Sequence, residues 1–479
     1  MRASSRRVLP WAALAVAVLA AAWAVAYARR AARGPSRAPV VSPAGLPALP
    51  DPGSSLLIMA PHPDDETLGC SGLIRQAVAR GATVHVVVMT NGEGFRAERS
   101  LMAVEEMLEG TVAERLQLAR KREHETLSAL QACGVSRDHV FFLGYPGAGL
   151  PLLWQPGHWP LSRPWRSAAM LSSRNPFPSS FSRGAPYAGQ QVLADLTAVM
   201  SRVRPTAVFT TPPYDIHPTH WATANFVLLA LAQYNGQADR PVPLYWYLVH
   251  YPHWPVPWGY APSQPLRPPH TWAHWPGLSW FAVSLTAEEV RHKTACLSRY
   301  ATQGAAHSAE LRSFLRANEL FAQASLAPTA APAAVRDPLR NLPADWLRPE
   351  EDIVQLRVAG EAGAGLLSLE LAAPPDPSLY YTVVWHSLAV PGPSVASFAW
   401  HNGKGVVVLA AADGAVRPLP ATCEVRGAEL VTGLPADALI ASPVTLDAFC
   451  RRGRHYANHT LTAVVSLPPP GAGEPAPPH

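Results

Sequence analysis

Short apolar runs alternate with helix-like segments through the first half of the chain, and this alternation constrains the fold more than any other feature. The run from Ser55 to Ala60 has the length of a buried strand and ends at a proline. A helix is predicted from Leu68 to Arg80, followed by a β-rich run from Thr83 to Thr90. The pattern continues with a charged amphipathic helix over 112–133 and with strands at 140–143 and 206–211. Such alternation predicts an α/β fold with a parallel sheet.

The composition allows a large core and argues against nucleic acid as a partner. Apolar residues make up 48% of the 479 positions and charged residues only 15%, which excludes wholesale disorder. The net charge is +5, and much of the positive charge lies near the N-terminus. We find no basic stripe with interleaved aromatic residues, so no nucleic-acid surface is expected.

The N-terminal region carries a predicted membrane segment. From Val8 to Ala28 the chain is apolar without interruption, long enough to span a bilayer. Ala26-Tyr27-Ala28 resembles a signal-peptidase site, but arginines follow it directly, which favours an uncleaved anchor over a cleaved signal. We expect the folded part to lie outside the cytoplasm. Arginines flank the segment on both sides, and the four that follow it mildly favour the opposite orientation.

The rest of the chain divides by composition. Residues 250–280 are dense in Trp, Pro and His without a helical or strand period, which predicts a long ordered loop near the mouth of the site. One or two helices are expected over 285–324. Further on, short β-rich runs alternate with Gly/Pro turns and predict a small all-β, sandwich-like module. The expected organisation is anchor and Pro-rich tether 1–51, first folded domain 52–326, linker 327–349, β module 350–467 and Pro-rich tail 468–479.

The five cysteines include no CxxC pair, so a zinc site built from thiolates is not indicated. Cys423 and Cys450 lie in the same predicted module and could pair in an exported protein. The alternative, that each cysteine is a small buried apolar residue, is at least as well supported.

Two polar clusters follow predicted strands. His62-Pro63-Asp64-Asp65-Glu66 comes directly after the first strand, and Asp215-Ile216-His217-Pro218-Thr219-His220 follows the strand at 206–211. In open α/β sheets, sites form outside the carboxyl ends of the strands. Packed carboxylates and histidines need a partner when buried, and a divalent cation is the natural one.

The two clusters together offer a catalytic metal site. His62, Asp65 and His220 give three protein ligands and leave a position open for water, the arrangement of catalytic zinc. Asp64 is placed to act as general base, and His217, as an imidazolium, to stabilise the developing oxyanion. Each cluster alone has a plainer interpretation, a turn for the first and surface histidines for the second. Their occurrence after strands of one predicted domain favours the metal site.

The motifs resemble those of the PIG-L/LmbE family of zinc deacetylases, which remove acetyl groups from N-acetylglucosamine-type substrates. The resemblance covers roughly residues 55–325 and is carried by APHPDDETLG at 60–69 and HPTH at 217–220. Weaker matches are TNGE at 90–93, Arg122 with Glu125, FLGYP at 142–146, and residues 293–303. The resemblance implies a Rossmann-like parallel sheet without nucleotide binding. It also implies one zinc ion on His62, Asp65 and His220, with Asp64 as the base and His217 as the electrophilic histidine.

The chain departs from the family pattern at two positions. Thr219 stands where the second motif usually carries Asp, and Gly147 stands where Asp often follows Tyr-Pro. No proposed ligand or base is lost, so we expect the first change to affect only the partner that orients a histidine. The second leaves the identity of the sugar open.

Three functions are compatible with these residues. The first is hydrolysis of the acetamide of an N-acetylated amino sugar, whether free or in a glycolipid, a glycoconjugate, a polysaccharide or an antibiotic precursor. The second is a carbohydrate-binding or scaffolding protein with an inactive domain, which the complete set of ligands and base disfavours. The third is metal-assisted hydrolysis of another bond, because the cluster reports activation of water and not the leaving group.

Overall fold

The computed structural model describes residues 52–93, 111–324 and 329–466, apart from gaps at 239, 253, 270–271, 274–277, 305–307, 331–332, 337–347, 362–363, 389–393, 412, 439, 441–442 and 454. The predicted membrane segment from Val8 to Ala28, the Pro-rich tether and the C-terminal tail lie outside these residues. Among the described helices, none combines the length and the apolar character that crossing a bilayer requires.

A seven-stranded mixed sheet forms the centre of the first half. Its order is β3-β2-β1-β4-β5-β7-β6, in which the first five strands run parallel and β6 and β7 run antiparallel at one edge. The strands are β1 Ser55–Ala60, β2 Thr83–Val88, β3 Val140–Phe142, β4 Ala207–Thr210, β5 Leu244–Trp246, β6 Leu278–Ser284 and β7 Asn318–Ala324. β1 is buried from Leu56 onward, as expected for a central strand covered by helices on both faces.

Helices lie between most of the consecutive strands of this sheet. They are α1 Asp65–Ala79, α2 Val112–Ala132, α3 Leu150–Leu153, α4 Gly189–Val203, α5 Pro218–Asn235, α6 Ala287–Leu297 and α7 Ala309–Arg312. Capping boxes start α2 at Thr111 and α6 at Thr286. α5 is buried from Thr219 to Leu231, so it is a core helix and not an amphipathic surface helix.

The prediction of one or two helices over residues 285–324 was wrong for the last residues of that range. Two helices occur there, α6 and α7, but the last residues form the strand β7. β7 pairs along its length with β6, which begins within the Trp-rich segment at Leu278. Such a hairpin-like pairing across a long insertion depends on distant residues, so local periodicity did not reveal it. The described part of 250–277 contains no helix and no named strand, in agreement with the predicted loop.

The C-terminal region consists of two sheets that are antiparallel except where β8 joins β19. The five-stranded sheet has the order β16-β17-β11-β10-β9, and the seven-stranded sheet β15-β14-β13-β12-β18-β19-β8. The strands are β8 Thr329–Ala330, β9 Ala333–Arg336, β10 Ile353–Glu361, β11 Ala364–Leu371, β12 Tyr380–Ser387, β13 Val395–His401, β14 Lys404–Ala410, β15 Val416–Leu419, β16 Cys423–Arg426, β17 Glu429–Leu434, β18 Val444–Arg452 and β19 His455–Ser466. Buried side chains of both sheets share one apolar cluster. β8 and β9 lie within the predicted linker 327–349 and pair with strands of these sheets.

The C-terminal region packs directly on the first half. Phe449 of β18 stacks with Trp221 of α5 at 5.8 Å between ring centroids. Val384 and Val395 belong to the same apolar cluster as the mixed sheet. The cysteines are all free, and Cys423 and Cys450 lie in different sheets. The structure therefore favours buried apolar cysteines over the disulfide that the sequence left open.

Candidate metal centre

The first cluster lies where β1 passes into α1. β1 ends at Ala60, and α1 begins at Asp65 after a short loop. Asp64, the residue before the helix, has φ 117° and ψ −26°, a conformation that residues with a side chain rarely adopt. Such strain persists only where surrounding contacts enforce it, and it concentrates at functional sites. The loop carbonyl of Pro63 accepts a hydrogen bond from Arg122 at 3.2 Å, which helps to hold this turn.

The second cluster lies beside the first because β4 pairs with β1 in parallel. The chain runs from β1 outward through β2 and β3, then returns to place β4 on the other side of β1. This reversal of strand order opens a crevice at the carboxyl ends of β1 and β4. The loop after β4 leads into α5, and His217 stands immediately before that helix.

Three side chains converge in this crevice. The His62 Nδ1 atom lies 3.1 Å from His220 Nε2 and 3.3 Å from Asp65 Oδ2. The same Asp65 oxygen lies 3.2 Å from His220 Nε2. All three side chains are at least nine-tenths buried. The structure thus brings together the three residues that the sequence predicts as ligands.

The spacing of these atoms fits a zinc ion. With ligands at about 2.0–2.1 Å in tetrahedral geometry, ligand atoms stand about 3.3 Å apart. The observed separations of 3.1, 3.3 and 3.2 Å match that spacing. Two nitrogens and a carboxylate oxygen are also a ligand set that zinc prefers.

Asp215 orients His220. Its Oδ2 atom lies 3.0 Å from His220 Nδ1, so the imidazole directs Nε2 toward Asp65 and His62. This carboxylate–histidine arrangement is the usual support of a metal-binding imidazole. Asp215 is completely buried and also accepts from the backbone N–H groups of His217 and His250. The sequence pattern included Asp215 in the second cluster but indicated no role for it.

The charges around His220 show why a cation belongs here. Burial by itself lowers the pKa of His220, but Asp215 and Asp65 outweigh it and raise the pKa to about 10. Burial raises the pKa of Asp65, yet His220 and His62 hold it well below its ordinary value. The buried carboxylates therefore demand positive charge at this point, which a proton or a divalent ion can supply.

The predicted base and electrophile line the same crevice. Asp64 is buried, and burial followed by the neighbouring Asp65 charge raises its pKa well above the ordinary value. His217 is half-buried, and its ring centroid lies 4.7 Å from that of His62. Its Nδ1 accepts from the backbone N–H of Thr219 at 3.2 Å, which places the ring proton on Nε2. His217 is therefore placed to donate through Nε2, and the imidazolium expected from the sequence stays a prediction.

Several residues near the site were missed. His250 opens the Trp-rich segment, and its ring centroid lies 4.7 Å from that of His220. Its Nδ1 lies 3.6 Å from Glu310. Glu66 is buried and accepts from the Tyr300 hydroxyl. The density of histidines in 250–280 was the only signal for His250, whereas Tyr300 lies within the weak family match at 293–303.

The two departures from the family pattern contact each other. The Thr219 hydroxyl donates to the Gly147 carbonyl at 3.1 Å. His220 is oriented by Asp215, so the absence of a carboxylate at 219 leaves that imidazole supported. The partner that orients His220 is therefore the carboxylate of Asp215, from the same motif, and not a carboxylate at position 219.

Part of this chain is similar in sequence to known proteins. Residues 57–231 match the family model of PIG-L, described as GlcNAc-PI de-N-acetylase. A 1D-myo-inositol 2-acetamido-2-deoxy-alpha-D-glucopyranoside deacetylase of Mycolicibacterium vanbaalenii is 33% identical, over 40% of this chain and 58% of the relative. The enzyme of that name from Mycolicibacterium smegmatis is 32% identical, over 40% of this chain and 59% of the relative. The chain thus spans less than two thirds of the length of these relatives.

Among solved structures, an N,N'-diacetylchitobiose deacetylase from Pyrococcus horikoshii aligns with a TM-score of 0.28 and 18% identity, over 52% of this chain and 71% of that one. The family model spans both polar clusters, from β1 through α5. The stretch that resembles the PIG-L family model, residues 57–231, therefore includes both sides of the crevice between β1 and β4.

Proposed function

We propose that this protein is a zinc-dependent hydrolase that removes the N-acetyl group from an N-acetylglucosamine-containing substrate, such as a glycolipid, a glycoconjugate or a polysaccharide. The convergence of His62, Asp65 and His220 at tetrahedral spacing is the observation that carries this proposal. The names of the relatives support the acetamide as the bond that is broken.

The residues of the crevice divide the work of amide hydrolysis. His62, Asp65 and His220 would hold the zinc ion. Bound there, zinc supplies Lewis-acid polarisation of the acetamide carbonyl and lowers the pKa of water to about 7. Asp64 accepts the proton of the attacking water and returns it to the departing amine. His217 donates through Nε2 to the oxygen that becomes negative, since its Nδ1 is occupied by Thr219.

Acetate release tests the proposal. The full chain, purified in detergent, would be assayed against free N-acetylglucosamine, N-acetylglucosaminyl-inositol and chitooligosaccharides. We expect acetate from at least one of them, loss of activity with a chelator and recovery with zinc. The variant His220→Ala is the matched control, because it removes a ligand from an otherwise intact crevice. Acetate release that persists in this variant with chelator would refute the metal mechanism.

The same assay separates the competing functions. A carbohydrate-binding scaffold would bind these sugars without releasing acetate. A hydrolase for another bond would bind zinc but yield a different product, which mass spectrometry of the reaction mixture would identify.

We also propose that the segment from Val8 to Ala28 anchors the protein with its catalytic domain outside the cytoplasm. The apolar run and the Pro-rich tether after it support this location. Protease added to intact spheroplasts should digest the domain. A domain that resists digestion until lysis lies in the cytoplasm.

A further inference from the structure

Two cysteines meet where α2 ends against α6. Cys133 follows the last residue of α2, and Cys296 lies in the last turn of α6. Their sulfur atoms are 3.6 Å apart, and both residues are buried. α2 returns the chain from the carboxyl edge of the sheet to the start of β3. The cysteines therefore lie toward the edge opposite the catalytic crevice.

A histidine completes the cluster. His292 precedes Cys296 by one turn of α6, so both side chains lie on one face of the helix. The Nδ1 atom of His292 is 3.6 Å from Cys296 Sγ. The Nε2 atom lies 3.0 Å from the carbonyl of Ala132, to which it donates, and this leaves the lone pair of Nδ1 directed at the sulfur. The second nitrogen of a metal-binding imidazole usually makes such a bond to a carbonyl.

The spacings suit a thiophilic metal better than a disulfide. The three potential ligand atoms lie within 4.8 Å of one another. Tetrahedral zinc with Zn–S of about 2.3 Å and Zn–N of about 2.0 Å separates two sulfurs by about 3.8 Å, and sulfur from nitrogen by about 3.6 Å. A disulfide requires about 2.05 Å between the sulfurs and no histidine. The neighbouring Cys133 sulfur lowers the pKa of the Cys296 thiol against the effect of burial, and Arg299, Arg75 and Lys293 lower it further, whereas Cys296 and burial raise the pKa of Cys133.

We propose that Cys133, His292 and Cys296 form a second metal site, which binds a thiophilic divalent ion such as zinc and fastens α2 to α6. Binding deprotonates both thiols and releases two protons, so the neutral complex holds one divalent ion and two thiolates. Half-exposed His292 gives the ion access from solvent. The site is independent of the proposed catalysis, because it shares no residue with the crevice.

Cobalt substitution tests the second site without relying on activity. The catalytic crevice contains no sulfur ligand, so a thiolate-to-cobalt charge-transfer band in the near ultraviolet reports only this cluster. We expect the reduced full chain to develop that band on titration with Co²⁺. Cys296→Ser should abolish it, and His292→Gln should weaken cobalt affinity by more than about 10-fold. Cys423→Ser, which alters a half-buried thiol in the C-terminal region, is the matched control and should keep the band.

Three results would overturn the proposal. One is the absence of the band in the reduced full chain, and another is its persistence in both Cys296→Ser and His292→Gln. The third is an unchanged cobalt affinity in His292→Gln. Since His292 is half-exposed, His292→Gln keeps the test decisive if Cys296→Ser does not fold.

Discussion

Asp64 combines a strained backbone, a buried carboxyl group and a position next to a proposed metal ligand. Its φ of 117° is held by contacts on either side of it. The backbone N–H donates to Glu66 Oε2 at 3.2 Å, and Arg122 fixes the preceding carbonyl. Strain of this kind lowers the unfolding free energy by about 1–3 kcal/mol, so holding this residue in position reduces the stability of the fold. That placement is what a general base requires.

Asp64→Asn should therefore separate catalysis from metal binding. The amide keeps the shape of the side chain but accepts no proton, so we expect a loss of turnover of about 10²–10⁴-fold. Metal content, measured by elemental analysis, should equal that of the unaltered chain, since His62, Asp65 and His220 are untouched. Near-normal acetate release by this variant would mean that another group takes the proton.

His217 should act through the proton on Nε2. Replacement by Ala removes the donor, and we expect turnover to fall by about 10²–10³-fold with the metal still bound. His217→Gln offers an amide N–H in its place and should recover part of that loss. If metal content collapses in His217→Ala, His217 is a ligand and its assignment as a donor is wrong.

At the residue scale, the candidate metal ligands could be predicted from the sequence, but the hydrogen bonds around them could not. His62, Asp65 and His220 could be predicted because both motifs follow strands and metal ligands are few in kind. The hydrogen bond from the Thr219 backbone N–H to His217 Nδ1 could not, because it depends on the backbone conformation at the start of α5. The pairing of Thr219 with Gly147 joins positions 72 residues apart, and only the fold makes them neighbours.

At the scale of elements, the segment after α6 contacts the first turn of α1. The Tyr300 hydroxyl contacts both Glu66 and Thr67 in the first turn of α1. Burial raises the pKa of Glu66 to about 7, although the bond from Tyr300 opposes this. The segment after α6 thereby supports the helix that carries Asp65.

Tyr300→Phe should loosen this support without touching a ligand. It leaves the buried Glu66 with fewer partners, which costs about 1–3 kcal/mol of unfolding free energy. Zinc affinity should fall modestly, because Asp65 is the neighbour of Glu66. Urea unfolding and zinc titration would measure both effects, with Tyr260→Phe at an exposed tyrosine as control. Equal unfolding free energies of the two variants would show that the contact between Tyr300 and Glu66 does not stabilise the fold.

The elements that the sequence predicted correctly are those with a strong local signal. α1, α2 and the parallel strands β1 to β4 have clear apolar runs or helical periodicity, and their order follows from strand–helix alternation. β6 and β7 were not predicted from the sequence. They form the antiparallel edge of the sheet, and two short helices separate them in the chain. Their identity is fixed by pairing and burial, which no local window contains.

At the scale of the whole molecule, the C-terminal region covers α5, the helix that begins beside the metal centre. Trp221, next to His220, packs on Phe449 and Tyr456. Asn225 donates to the buried carboxylate of Asp447 at 3.1 Å. The change of composition after residue 326 suggested a separate module. Composition describes the residue types of a segment but does not show which surfaces the segment packs against. α5, the helix that carries His220, shares an apolar cluster with the C-terminal sheets.

His386 gives this interface a predictable response to acid. It lies in β12 with its ring centroid 3.7 Å from that of Trp154 and 4.5 Å from that of Trp159. Its Nε2 donates to the Trp154 carbonyl at 2.8 Å. Burial lowers its pKa from 6.5 to about 3. In the unfolded chain the imidazole titrates near 6.5, so between that pH and about 3 the unfolded state binds a proton that the folded state does not.

Stability must therefore fall as the pH drops below 6.5. The loss approaches about 1.4 kcal/mol per pH unit, so this one group should lower the unfolding free energy by about 2 kcal/mol between pH 7 and pH 5. His386→Gln keeps an N–H for the Trp154 carbonyl but cannot titrate, so its stability should depend less on pH by that amount. Urea unfolding at pH 7, 6 and 5 would measure this, with exposed His124→Gln as the control that leaves the slope unchanged. If His386→Gln loses as much stability on acidification as the unaltered chain, the interface does not keep this histidine neutral.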